Sequence, residues 1–139
     1  MKKELLNSDK ELLLKDLCAR LPYGVKISIP DLWTQKREIE ILDEIFKGDD
    51  GLYRVNSKGQ CIEHIRPYLF PLSSMTEEQK KEYHSIIYRS VELHYHEYCD
   101  VIDIDFFDVL QEFYLKNHFD YRGLIEKDLA LDATGLNIY

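Results

Sequence analysis

The hydrophobic pattern changes period partway along the chain. Up to residue 66 apolar and polar positions alternate in short runs broken by turn residues. Beyond residue 78 the apolar positions recur every three or four. A period of two belongs to half-buried strands, and one near 3.6 to helices with one buried face. The start of the chain is an exception within the first part. Leu13, Leu14, Leu17, Cys18 and Leu21 keep helical spacing behind a Ser8–Glu11 capping-box pattern, and Pro22 and Gly24 stop the run. A helix over about residues 9–20 is expected, with Lys10, Lys15, Asp16 and Arg20 on its polar side.

Val25, Ile27 and Ile29 alternate with Lys26 and Ser28, a half-buried strand ended by Pro30-Asp31. Ile39 and Ile41 alternate with Glu38 and Glu40, the pattern of another one-sided strand. Leu42 to Phe46 breaks the alternation, which fits a bulge or a short helical turn. Lys47-Gly48-Asp49-Asp50-Gly51 is a turn signal, and Leu52 to Val55 reads as the returning strand. Asn56-Ser57-Lys58-Gly59 turns again, with Cys61 to Ile65 as a fourth short strand or a single helical turn. Tyr68 to Phe70 is a candidate fifth strand.

Residues 67–78, P-Y-L-F-P-L-S-S-M-T-E-E, join the two kinds of pattern. Pro67 and Pro71 keep the chain extended, and the apolar residues between them call for a core to rest on. Ser74 with Glu77, or Thr76 with Gln79, then forms a capping box. The helix it starts is expected over about residues 76–98, with Tyr83, Ile87, Val91, His94, Tyr98 and Val101 on one face. A second helix starts at Asp103 or Asp105 and presents Phe106, Val109, Leu110 and Phe113 together. Lys116-Asn117-His118 suits its end, where positive charge and a left-handed Asn are favoured. The tail from Asp120 is apolar enough to pack back on the domain.

The reading is one α+β domain over residues 1–139, long enough for a core without staples. Residues 1–66 form a helix plus a β-layer, 67–78 the joint and 79–139 the helical part. The β-layer is a small antiparallel sheet or partly open barrel of four or five short strands. Two main C-terminal helices and a packed tail complete it.

Charge adds an asymmetry that the pattern alone does not show. Residues 1–66 carry twelve Lys and Arg and twelve Asp and Glu; residues 67–139 carry six and fourteen, the whole of the net −8. Between Ser90 and Leu115 there are seven acids and no base. Such a surface repels phosphate backbones, so direct nucleic-acid binding is not expected, and a basic protein partner is. Cys18, Cys61 and Cys99 are odd in number and far apart, which indicates reduced thiols rather than disulfides or a zinc site. The N-terminus has no apolar run of signal-peptide length and no stretch is long enough to span a bilayer, so a cytoplasmic protein is expected.

Few residues carry candidate chemistry. Glu92, His96 and Asp100 share a helix face at i, i+4 and i+8 and are the available metal-ligand set, on a face otherwise read as solvated. His94 and His96 point about 200° apart and cannot share an ion, so His94 reads as a core histidine. Cys18 and Cys61 read as buried and inert, and the acids around Cys99 push its pKa away from reactivity. Trp33, after Pro30, is either a loop contact residue or a packed one. No metal or cofactor is assigned.

Three blocks, L-L-L-K-D-L-C-A-R-L-P-Y-G-V at 12–25, P-Y-L-F-P-L-S-S-M-T-E-E at 67–78 and D-Y-R-G-L-I-E-K at 120–127, carry a family likeness. Together they resemble a family of small uncharacterised proteins from anaerobic gut bacteria and their prophages. The resemblance implies a cytoplasmic accessory protein linked to mobile elements, and it brings no catalytic residues. The expected function is a non-enzymatic protein-interaction module using Trp33 with Asp103, Asp105 and Asp108. The alternatives are a small metal-dependent hydrolase built on Glu92, His96 and Asp100, or an acidic nucleic-acid mimic that inhibits a DNA-binding protein.

Overall fold

One sheet holds β1 (Lys26–Pro30), β2 (Arg37–Ile41), β6 (Arg66–Leu69) and β7 (Leu131–Asp132) in the order β2-β1-β6-β7. A second holds β3 (Ile45–Lys47), β4 (Tyr53–Val55) and β5 (Gln60–Cys61). The helices are α1 (Asn7–Arg20), α2 (Glu77–Tyr95) and α3 (Ile104–Lys116). The computed structural model describes residues 5–31, 33–34, 36–95 and 104–139. The chain adopts the expected α+β class, with helices at the expected places. Its strands divide between two sheets, and the tail adds to the first of them as the parallel strand β7.

The buried stripe of α1 is Leu13, Asp16, Leu17 and Arg20, at i, i+3, i+4 and i+7. Its leucines pack on Val25, Ile27, Ile29 and Leu69. This corrects two expectations. Asp16 and Arg20 do not lie on a solvated side but are fully buried, while Cys18 is exposed. Hydropathy alone turns charged residues outward; here the two charges neutralise each other inside the stripe. The Ser8–Glu11 box is not used either, because the helix starts at Asn7 with Leu6 as its uncapped N-cap.

β2 inverts the face read from its alternation. Register places Glu40 opposite Ile27 and Glu38 opposite Ile29, so the glutamates share the core-side face of β1. Ile39 and Ile41 lie on the other face and are 48% and 55% exposed. Alternation defines two faces, but only the neighbouring strand decides which is inward. The break after Ile41 is neither a bulge nor a helical turn. Leu42 is buried, and the chain crosses there to β3 of the second sheet. Asn56, in the left-handed conformation, secures the crossing. Its side-chain oxygen accepts from the Asp43 amide, and its Nδ2 donates to the Ile41 carbonyl. Cys61 to Ile65 combines both readings, a strand end followed by one 3-10 turn, Ile62–His64.

Residues 67–78 join two hydrophobic clusters. Leu69 belongs to the one beneath α1, and Phe70 packs on the one formed by Ile86, Phe113 and Phe119. The Phe70 amide donates to the His118 carbonyl at 2.8 Å, and its carbonyl accepts from the Asp120 amide at 2.8 Å. Of the two capping boxes, the one formed is Thr76–Gln79; the Ser74 hydroxyl donates to the Pro71 carbonyl instead. At the end of α3 the left-handed residue is His118, not Asn117, whose side chain donates to the Phe113 carbonyl. On α3 Phe113 is buried, while Val109 is turned outward, 44% exposed.

Candidate interaction surface

Trp33 is 93% exposed, the most exposed large apolar side chain among the described residues. It sits on the connection between β1 and β2, which is held by its own hydrogen bonds. The Asp31 amide donates to the Lys36 carbonyl at 2.7 Å, and the Trp33 amide donates to the Asp31 carboxylate at 2.8 Å. That backbone bond holds the Asp31 carboxyl below its ordinary pKa. An Asp followed two residues later by a bonded amide is a self-contained turn, so the Trp33 backbone is tied to Asp31.

β2 continues from this loop as an edge strand, since β1 is its one neighbour in the sheet. Which of its backbone groups face out follows from the bonds flanking the ladder. Leu42 donates to Val25 and Asp31 to Lys36, so Ile27–Glu40 and Ile29–Glu38 are the hydrogen-bonded pairs between them. The amides and carbonyls of Arg37, Ile39 and Ile41 therefore point away from the sheet. The Ile41 carbonyl accepts from Asn56, and among the described residues none bonds to Arg37 or Ile39 on that side. Arg37 is fixed by its side chain, which donates to the Ser28 hydroxyl at 2.6 Å and to the His64 carbonyl at 2.7 Å. On the glutamate face, Lys58 lies 3.2 Å from Glu38 and 3.3 Å from Glu40, so two carboxylates share one ammonium. Their ion pairing raises the Lys58 pKa.

The surface thus has an indole at one end, an unpaired strand edge, two exposed isoleucines on one face and an excess of acid on the other. These groups make a surface suited to binding. Sequence reasoning singled out Trp33 but not β2, because the inverted face was not visible in the alternation.

The acidic positions lie elsewhere. Trp33 follows the Pro30 end of β1, whereas α3 packs beyond the opposite end, where Tyr68 runs on to Phe70. Asp108 is exposed on α3, so it and Trp33 belong to elements at opposite ends of the sheet. His96, Asp100 and Asp103 lie outside the described residues, as does Cys99, and so do the side chains of Glu92, His94 and Asp105. Among the described residues no group of three His, Cys, Asp or Glu is placed to hold a metal ion. No described helix is long and apolar enough to cross a membrane.

Two other features of the molecule resemble sites. A groove of about 160 Å³ between α1 and the second sheet is lined by Leu14, Leu52, Tyr53, Cys61 and Ile62, beside a Lys10–Glu63 ion pair at 3.1 Å. It is smaller than the roughly 300 Å³ at which ligand pockets begin. The second is a buried cluster. Arg20 donates to Asp16 and to the Phe119 carbonyl, each at 2.7 Å, and Arg122 lies 3.3 Å from Asp16. Burial raises the Asp16 pKa, and the two guanidiniums offset only part of that rise. Arg20 and Arg122 both approach the Tyr121 ring, 5.5 and 4.9 Å from its centre. Asp16 and Arg20 are closed to solvent, and the cluster ties α1 to the segment after α3. Its signal in the sequence was the i, i+4 spacing of Asp16 and Arg20 on the same stripe as Leu13 and Leu17.

No protein-family model, no curated protein and no solved structure matches the chain.

Proposed function

We propose that the protein is a non-enzymatic interaction module that engages another protein through the Trp33 loop and the open edge of β2. One observation carries the reading: an indole 93% exposed on a hydrogen-bonded loop, next to a strand whose isoleucines face water. Tryptophan is the side chain most enriched among residues that dominate binding energy, and leaving one in water gives the fold nothing. The three blocks that resemble accessory proteins of gut-bacterial prophages are the ground for placing the module in such a system. The odd number and wide spacing of the cysteines are the ground for placing it in the cytoplasm.

The test separates binding from folding. Trp33→Ala leaves stability within about 0.5 kcal/mol, because the ring contributes almost no burial. Tagged protein with a photo-crosslinking residue at position 36, beside the intact Trp33 and exposed, expressed in native cells, forms a discrete adduct with a partner. The same residue at position 112, on the exposed side of α3, does not. Adducts at 112 and none at 36, or partner capture unchanged by Trp33→Ala, would reject this surface.

A further inference from the structure

From the geometry of β2 we infer that the partner contributes an extended segment, which adds as a new strand beside β2 and alternates apolar with basic residues. The inference rests on the interaction-module reading and gives the chemistry of its partner. The backbone supplies the first requirement. Arg37 and Ile39 each direct an amide and a carbonyl outward, and Ile41 adds its amide. Asn56 occupies the Ile41 carbonyl and ends the free edge there. Such a row of groups pairs with an extended peptide through main-chain bonds, while alternate side chains set specificity.

The side chains supply the pattern. Residues directly opposite on paired strands share a face. A segment laid beside β2 therefore places one set of side chains next to Ile39 and Ile41, which are half exposed, and the other set next to Glu38 and Glu40. The first set is apolar. The second is Lys or Arg, because two carboxylates share the single Lys58 ammonium and one negative charge is left over.

The same arrangement argues against a second copy of this chain as the occupant. Outward groups belong to the odd-numbered residues, so a symmetric antiparallel pair must match odd with odd and even with even. Centred on Ile39, it sets Glu38 opposite Glu40 twice; centred on Glu38 or Glu40, it sets like glutamates face to face. Like charges directly opposite are destabilising. Trp33 stands at the loop end of this edge, where it covers the terminus of the incoming segment.

Two tryptophan-free nine-residue peptides test this, one alternating Val and Lys, the other Val and Glu. Trp33 is the single tryptophan of the chain, so its fluorescence reports binding directly. The Val–Lys peptide is expected to shift the emission to the blue and to slow amide exchange at Arg37 and Ile39 at least tenfold at saturation. The Val–Glu peptide binds at least tenfold more weakly, and Glu38→Lys with Glu40→Lys reverses the preference. As a check that leaves the protein intact, N-methylation of alternate amides of the Val–Lys peptide abolishes the protection. Binding without protection at Arg37 and Ile39, or equal binding of both peptides, overturns strand addition. That result, with partner crosslinking at position 36 intact, removes only the inference; loss of the crosslink removes the underlying reading.

Discussion

Thr76 and Gln79 cap α2 from both directions: the Thr76 hydroxyl accepts from the Gln79 amide at 3.2 Å, and the Gln79 side chain accepts from the Thr76 amide at 2.8 Å. Ser74, two residues earlier, is occupied in the 3-10 turn Leu72–Ser74. Thr76→Ala should therefore cost about 1 kcal/mol of stability, and Ser74→Ala clearly less. Urea denaturation of both variants checks the order, and equal losses would return part of the cap to Ser74. In the sequence the two boxes were indistinguishable. What chose between them was the Pro71 carbonyl, which the turn brings within reach of Ser74. The same limit applies to Trp33. Its position after Pro30 was legible, but its exposure depended on whether anything folds over the loop.

Elements were legible where their period was long and their neighbours did not matter. α1 and α2 start within two residues of expectation, and the turns around Gly48 and Asn56 fall where Gly and Asn place them. The face of β2 was not legible, because it is set by register with β1. The end of α3 was half legible: a left-handed residue is there, but it is His118, with φ of 59°. That choice brings the imidazole flat against the Tyr139 ring, 3.9 Å between centres, where the tail closes over Phe70. Burial, with Arg20 and Lys26 nearby, lowers the His118 pKa to about 4, while the unfolded histidine titrates near 6.5. Between these values the unfolded chain binds the extra proton. The contribution is thus complete above about pH 6.5 and is lost as pH falls toward 4. Urea midpoints at pH 7 and pH 5.5, a range above most carboxylate titration, should fall more for the native chain than for His118→Gln. Parallel falls in the two proteins would assign the loss to other groups.

On the scale of the whole molecule, α1 is tied to the segment after α3 by contacts between residues far apart in the sequence. The Arg20 side chain reaches the Phe119 carbonyl across 99 residues of sequence, and Asp16 faces Arg122 from the same helix. The hydrophobic clusters meet at Leu69 and Phe70, one residue apart, and the buried pair fastens α1 to the strand-like segment that Phe70 binds. A buried ion pair adds little net stability over an apolar replacement, but removing one member leaves the other charged in a medium that cannot solvate it. Asp16→Ala should accordingly cost about 3–5 kcal/mol, because Arg20 keeps its charge and Arg122 loses its nearest carboxylate. Arg20→Met should cost a similar amount by stranding Asp16 and freeing the Phe119 carbonyl. The double variant has no stranded charge at either position, so its loss should fall well short of the sum. Denaturation of the two single variants and the double gives the coupling directly. A coupling below about 0.5 kcal/mol would mean that the pair acts as two independent residues and that the joint is held by its hydrophobic contacts alone.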